Sequence, residues 1–168
     1  MRSSFSTCVI AAACAGLCAV AAAQEQSPQY KLKRLTTGSA IPWDGASSKV
    51  AINRTYAQLG DEERGLVRAQ YENMGPDDEP PFPAKGLRPM LQAIQEAQRK
   101  LLVSGELYLI ATVESDGKVS SVKAIGSPSE EMVRFAASSM MFTPFKPGMC
   151  DGSACTMEFP LRYNFVVK

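Results

Sequence analysis

Between Gly105 and Met141 the sequence switches its periodicity once, and that switch limits the fold more than any other feature. Leu107, Leu109, Ala111 and Val113 alternate with Tyr108, Ile110 and Thr112, the two-residue period of a strand whose second face is also rather apolar. Ser115-Asp116-Gly117-Lys118 follows as a tight hairpin turn in which Asp116 and Gly117 are expected to supply positive φ values. The return strand is Val119–Ile125. Ser127-Pro128-Ser129-Glu130 then combines a capping box with proline at the first helical position, predicting a helix to about Met141 that buries Val133, Ala136, Ala137 and Met140. A hairpin running straight into an amphipathic helix implies a helix layer on a sheet, an α+β arrangement.

The flanks extend this pattern. Leu87, Met90, Leu91, Ile94, Ala97 and Leu101 keep helical spacing, predicting a helix over Leu87–Ser104 that Gly105 terminates. Further upstream, Asp61 can cap a helix over 61–74, with Glu62 and Glu63 in its first turn and Leu66, Val67, Tyr71 and Met74 on one face; Gly75-Pro76 stops it. The stretch PDDEPPFPAKG, residues 76–86, has four prolines and predicts an extended, polyproline-like spacer. Its Asp77, Asp78 and Glu79 carry the oxygens a calcium ion prefers, but a hard-cation loop needs about six or more ligands in a compact turn, which the prolines oppose. Residues 24–48 are polar and loop-like, with Trp43 and the basic Lys31, Lys33 and Arg34, a solvated stretch or a contact to an anionic surface. After Met141, Phe142–Pro147 is a proline-bounded crossing, and Thr156–Val167 is the last strand. Pro160 has no amide donor, so one side of that strand is expected to lack a sheet partner near its start.

Arg2 precedes an apolar run, Val9–Ala23, that closes on three alanines. This pattern predicts a secretory signal over residues 1–23, cleaved after Ala23, and hence export to an oxidising compartment. The alternative is an uncleaved membrane anchor, although the run is shorter than the roughly 20 apolar residues a spanning helix needs. Cys14 and Cys18 within the run also leave a lipoprotein in view. Cleavage removes Cys8, Cys14 and Cys18 and leaves Cys150 and Cys155, an even pair in an oxidising compartment. Four residues containing Asp151-Gly152 separate them, which suits facing positions of a hairpin closed by a disulfide. A zinc site would need two more ligands, and the chain has no histidine; the C-x-x-C spacing of disulfide oxidoreductases is missing too. The mature chain balances 17 Lys and Arg against 17 Asp and Glu, so no long-range field points to nucleic acid.

Taken in order, the strand from Gly105 to Val113, the Asp116–Val119 turn, the helix with central Ala136-Ala137, Phe145-Lys146-Pro147, Asp151-Gly152 and the Pro160–Phe165 strand resemble the C-terminal domain of the TonB energy-transducer family. The resemblance covers about Leu87 to Lys168. It implies a small antiparallel sheet of about three strands packed on helices in the order β-β-α-β, preceded here by two extra helices, with residues 24–86 as an N-terminal segment. It also implies strand pairing with short peptides of outer-membrane transporters at the last strand, placing partner binding on Arg162, Tyr163, Asn164, Phe165 and Val166. The bland alternative is that Phe159, Leu161, Tyr163, Phe165 and Val167 only face the core. The chain departs from the family in its apparent signal peptide, its lack of histidine and its short proline segment, which favours a freely diffusing relative over a motor-driven transducer.

The expected function is therefore a non-catalytic periplasmic module that binds an outer-membrane receptor peptide or another periplasmic protein, without a cofactor. An open edge also admits a homodimer. The rival reading is a membrane-anchored transducer, with membrane contact only through an uncleaved N-terminus. An enzyme would need a nucleophile–base set, and Ser47-Ser48, Ser138-Ser139 and Glu130-Glu131 have no supporting pattern; a wall-binding role would rest on Lys31–Arg34 and the aromatics.

Overall fold

The computed structural model describes residues 30–33 and 49–165. The predicted signal segment, Trp43, Arg34, Ser47-Ser48 and residues 166–168, including Val166 and Val167, lie outside the described residues. The fold is α+β. Its elements are a 3-10 turn at Tyr56–Gln58, α1 (Asp61–Arg68), β1 (Phe82–Pro83), α2 (Arg88–Leu101), β2 (Gly105–Val113), β3 (Val119–Gly126), α3 (Glu130–Met141), β4 (Phe145–Lys146), β5 (Gly148–Cys150), β6 (Ser153–Cys155) and β7 (Met157–Phe165). The main sheet is antiparallel in the order β3-β2-β7, with two-stranded pairs β1-β4 and β5-β6 beside it. Among the described residues no helix is long and apolar enough to cross a membrane.

The sheet's inner face carries Leu107, Leu109, Ala111 and Val113 of β2 opposite Tyr163, Leu161, Phe159 and Met157 of β7, all of them buried. α2 buries Met90, Leu91, Ile94 and Ala97 against this core, each large side chain contributing about 1.5–3 kcal/mol of transfer free energy. It ends sooner than its periodicity suggests. Leu102 takes the left-handed cap at φ 52°, with its N–H on the Gln98 carbonyl, so Gly105 opens β2 instead of closing the helix. α3 buries Met132, Ala136 and Met140. The expected stripe is therefore rotated by one residue at its start, because four-residue spacing faces one neighbour, while Val133 and Ala137 lie half-buried at its side.

The β2–β3 turn also differs from expectation. Gly117 alone is left-handed there, at φ 82°. Gly117 N–H donates to Glu114 O, and Glu114 N–H donates to Lys118 O, closing a loop of three residues, not two. The glycine is needed twice over, since a Cβ would also fall 2.2 Å from the Phe145 carbonyl oxygen. Phe145 N–H donates to Gly117 O at 3.0 Å, and the Phe145 ring meets Phe159 edge-on at 5.0 Å. The crossing segment is thereby locked beneath the hairpin, as its flanking prolines suggested.

Two upstream expectations are corrected. The first helix ends at Arg68, well short of Met74, and Gly60 is its N-cap, its N–H held by the Glu63 carboxylate at 2.8 Å. Tyr71 leaves the helical path to bridge Leu32, with Lys33 N–H on Gln70 O and Glu72 N–H on Lys31 O, so backbone pairing replaces the last predicted turns. The proline stretch is extended in backbone, but it is no free spacer. Pro80, Pro81, Phe82 and Pro83 are buried, β1 pairs with β4, and Glu79 bridges Met149. Prolines suit short edge pairings of this kind because they need donate nothing.

Candidate functional site

Pro160 fixes which backbone groups of β7 face outward. The β2–β7 register runs without a shift from Gly105 opposite Phe165 to Val113 opposite Met157, and Pro160 stands opposite Ile110. A residue with no N–H can sit in an unbroken antiparallel ladder only at a non-hydrogen-bonded position. With period two, Glu158, Arg162 and Asn164 share that orientation and turn their N–H and C=O away from β2. The Tyr71 hydroxyl donates to the Glu158 carbonyl at 2.7 Å, a bond that fits an outward carbonyl.

The outer side of β7 therefore has two halves. At its start, Tyr71 occupies Glu158. Tyr71 is packed with Cys150 and Met157, flanked by Tyr30, Leu32, Met74 and Cys155, in a satellite core apart from the main one. Asp78 holds this corner together: its carboxylate accepts from the Tyr30 hydroxyl, from Asp151 N–H at 2.8 Å and from Gly75 N–H at 3.0 Å. Those bonds, Tyr30's first, hold the Asp78 carboxyl below its ordinary value. Beyond Pro160, no strand among the described residues pairs with the outer side. The Pro160 carbonyl and the N–H and C=O of Arg162 and Asn164 form a row there without a strand partner among the described residues.

The five residues expected to bind a partner thus divide. Arg162 and Asn164 present backbone outward. The Arg162 side chain is paired with Glu106 across the strand (Nη2 to Oε2 2.8 Å), while Asn164 is exposed. Tyr163 and Phe165 give their backbone to β2 and their rings to the core, tilted against each other with centroids 4.8 Å apart, and Gln95 of α2 donates to the Tyr163 hydroxyl at 2.9 Å. Their side chains are spent on packing, which matches the bland reading; Val166 lies outside the described residues.

Cys150 and Cys155 are joined by a disulfide. They are not facing residues, however: Cys150 opposes Ser153 and Cys155 opposes Gly148, so the bond crosses the hairpin diagonally. Asp151 (φ 50°) and Gly152 (φ 78°) make the two-residue turn with both residues left-handed, the geometry an Asp-Gly pair favours. Asp78 is spent on this corner, and among the described residues no group of three or more His, Cys, Asp or Glu is placed to hold a metal ion. Glu130 faces Arg134 at 3.9 Å in the first turn of α3, and the Ser139 carbonyl accepts from the Thr143 hydroxyl, both local helix chemistry.

No local signal places Tyr71 and Asp78 at the border of the edge, because helical spacing assigns Tyr71 to a core face. Pro160 did carry the needed signal, since its missing donor sets the parity of the whole strand. No protein-family model matches the chain, and no curated protein matches it.

Proposed function

We propose that this chain is a non-catalytic periplasmic interaction module that accepts an extended segment of a partner protein as an added strand on β7. The observation that carries the reading is the outward, strand-free backbone of Arg162 and Asn164 beyond Pro160. Main-chain groups there supply affinity to any extended peptide, and alternate side chains, Arg162 and Asn164 among them, bias the choice. The ordered resemblance to the TonB C-terminal domain supports a receptor peptide at the outer membrane as partner, and the Val9–Ala23 leader supports the periplasm. Another periplasmic protein, or a second copy paired edge to edge, fits the same groups.

Hydrogen exchange of the full chain, with and without extended peptides from outer-membrane receptors, tests this directly. Slowed exchange at Arg162 and Asn164, with Leu161 and Tyr163 unchanged, is expected. Unchanged exchange at both residues with every peptide, in a chain shown to be monomeric by sedimentation, would falsify the reading. The apolar leader also admits an anchored transducer, and mass spectrometry of the native N-terminus separates the two: Gln24 as first residue removes the anchor.

A further inference from the structure

Away from β7, a cavity of about 420 Å³ opens between α1 and the turn over residues 76–79, a size that suits a small ligand. Tyr56, Asp61, Arg64, Arg68, Asp77 and Glu79 line it. Four observations set it apart from an ordinary solvated cleft. Arg64 and Arg68 lie one helical turn apart, and neither forms an ion pair with a carboxylate among the described residues. Yet both guanidinium groups are fixed by backbone oxygens: Arg64 donates to Leu59 O and Ala57 O, and Arg68 to Asp78 O and Gly75 O. A guanidinium has five N–H donors, so each keeps donors in hand, already oriented.

Tyr56 is only 3% exposed, its ring held against Phe82, but its hydroxyl has no hydrogen-bond partner among the described residues. The oxygen itself is not buried: it is the part of the residue that reaches the cavity, where it is open to a ligand or to water. Burial and Glu79 push its phenol up, which keeps it a neutral donor. On the acidic side, Glu79 is taken by Lys146 at 2.9 Å, whereas Asp61 and Asp77 have no cationic partner among the described residues. Finally, Gly65 lines the cavity in mid-helix, where glycine costs about 1 kcal/mol relative to alanine. A Cβ there would meet nothing within 4 Å, so packing does not require the glycine.

We infer that this cavity binds a small zwitterion, a free amino acid or a dipeptide, with its carboxylate on Arg64, Arg68 and the Tyr56 hydroxyl and its ammonium on Asp61 and Asp77. Oriented arginines and a neutral phenol are strong carboxylate donors, and the carboxylates of Asp61, beside the arginines on α1, and of Asp77, on the facing turn, disfavour a purely anionic guest. The site is separate from β7 and stands or falls apart from strand addition there.

Calorimetric titration of the full chain with L-alanine, alanyl-alanine, N-acetyl-alanyl-alanine and alanyl-alanine amide tests it. One of the two zwitterions is expected to bind, which distinguishes amino acid from dipeptide, and blocking either charged end is expected to weaken binding by about tenfold or more. Tyr56→Phe keeps the ring and removes only the unpaired hydroxyl. It is expected to weaken the zwitterion several-fold while leaving the melting temperature unchanged. Gly65→Ala is expected to raise the melting temperature and to weaken binding by crowding the cavity. No heat with any probe at millimolar concentration overturns the inference. So does equal binding of free and capped probes, or undiminished affinity in Tyr56→Phe.

Discussion

β3 and β7 are the two margins of one sheet, and both leave a row of backbone groups without a strand partner among the described residues. β3 is irregular: its register against β2 shifts between Tyr108 and Leu109 and again between Thr112 and Val113, and it exposes Ser120, Ser121, Lys123 and Ile125. Bulges and a lysine are the usual means of keeping an edge from recruiting another strand. β7 has neither defence. Its nine residues pair with β2 without a shift, its Arg162 is neutralised by Glu106, and among the described residues only its first half is shielded, through Tyr71. A protein can therefore close one margin by making it a poor template, and regulate the other by covering part of a good one.

Paired proline substitutions give the largest test of that contrast. Leu161→Pro places the ring where the N–H serves β2 and removes a buried leucine, and a loss of about 3 kcal/mol or more in chemical denaturation is expected. Arg162→Pro, one residue on, points its missing donor outward, as Pro160 does. It is expected to cost far less, mostly its surface ion pair at about 0–1 kcal/mol, while abolishing partner binding. Equal destabilisation by both would break the parity argument.

Replacing Cys150 and Cys155 with serine is next in size. The small ring predicts a loss of about 2 kcal/mol on the chain-entropy argument. The loosened satellite core should also speed exchange of the Met149 amide, which donates to Glu79 O, but not on β3. Tyr71→Phe should cost about 1 kcal/mol, through the bond to Glu158 O, and lengthen a bound peptide's footprint toward Glu158. If exchange shows the footprint still stopping at Pro160, Tyr71 is not the cover.

Acid gives the subtlest contrast. The folded Asp78 carboxyl titrates below its ordinary value of 3.8, so its contribution is complete above that value and drains away as pH falls from there through the folded pKa. The protection factors of the Gly75 and Asp151 amides, which donate to that carboxylate, should fall on acidification below about pH 4, and Asp78→Asn should flatten that fall while leaving β3 unaffected. A fall of the same size in Asp78→Asn would remove Asp78 from the cover.

Much of this was legible in the residues. β2, β3 and α3 were readable because local signals agree there: alternation, an Asp-Gly turn and a capped helix all point one way. The proline segment misled because composition describes what a free chain prefers, whereas Phe82 and three neighbouring prolines found a buried place against β4. Tyr71 misled for a related reason. Its helical spacing was real, but pairing with residues 31–33 satisfied its backbone better than another helical turn. The cavity beside Tyr56 had no sequence signature, since Arg64, Arg68 and Asp77 look like surface charge until α1 and the 76–79 turn are brought together.

The sequence by itself determined the strand, turn and helix order from Gly105 onward, the cysteine pairing and, through Pro160, which way half the backbone of β7 faces, since each depends on neighbouring residues or on a missing atom. Only the tertiary structure decided that Tyr71 shields Glu158, that Asp78 binds two distant segments through Tyr30 and Asp151, and that two arginines without a carboxylate partner among the described residues share a cavity with the Tyr56 hydroxyl. Those contacts join residues far apart in the chain, and no local preference encodes which of them will meet.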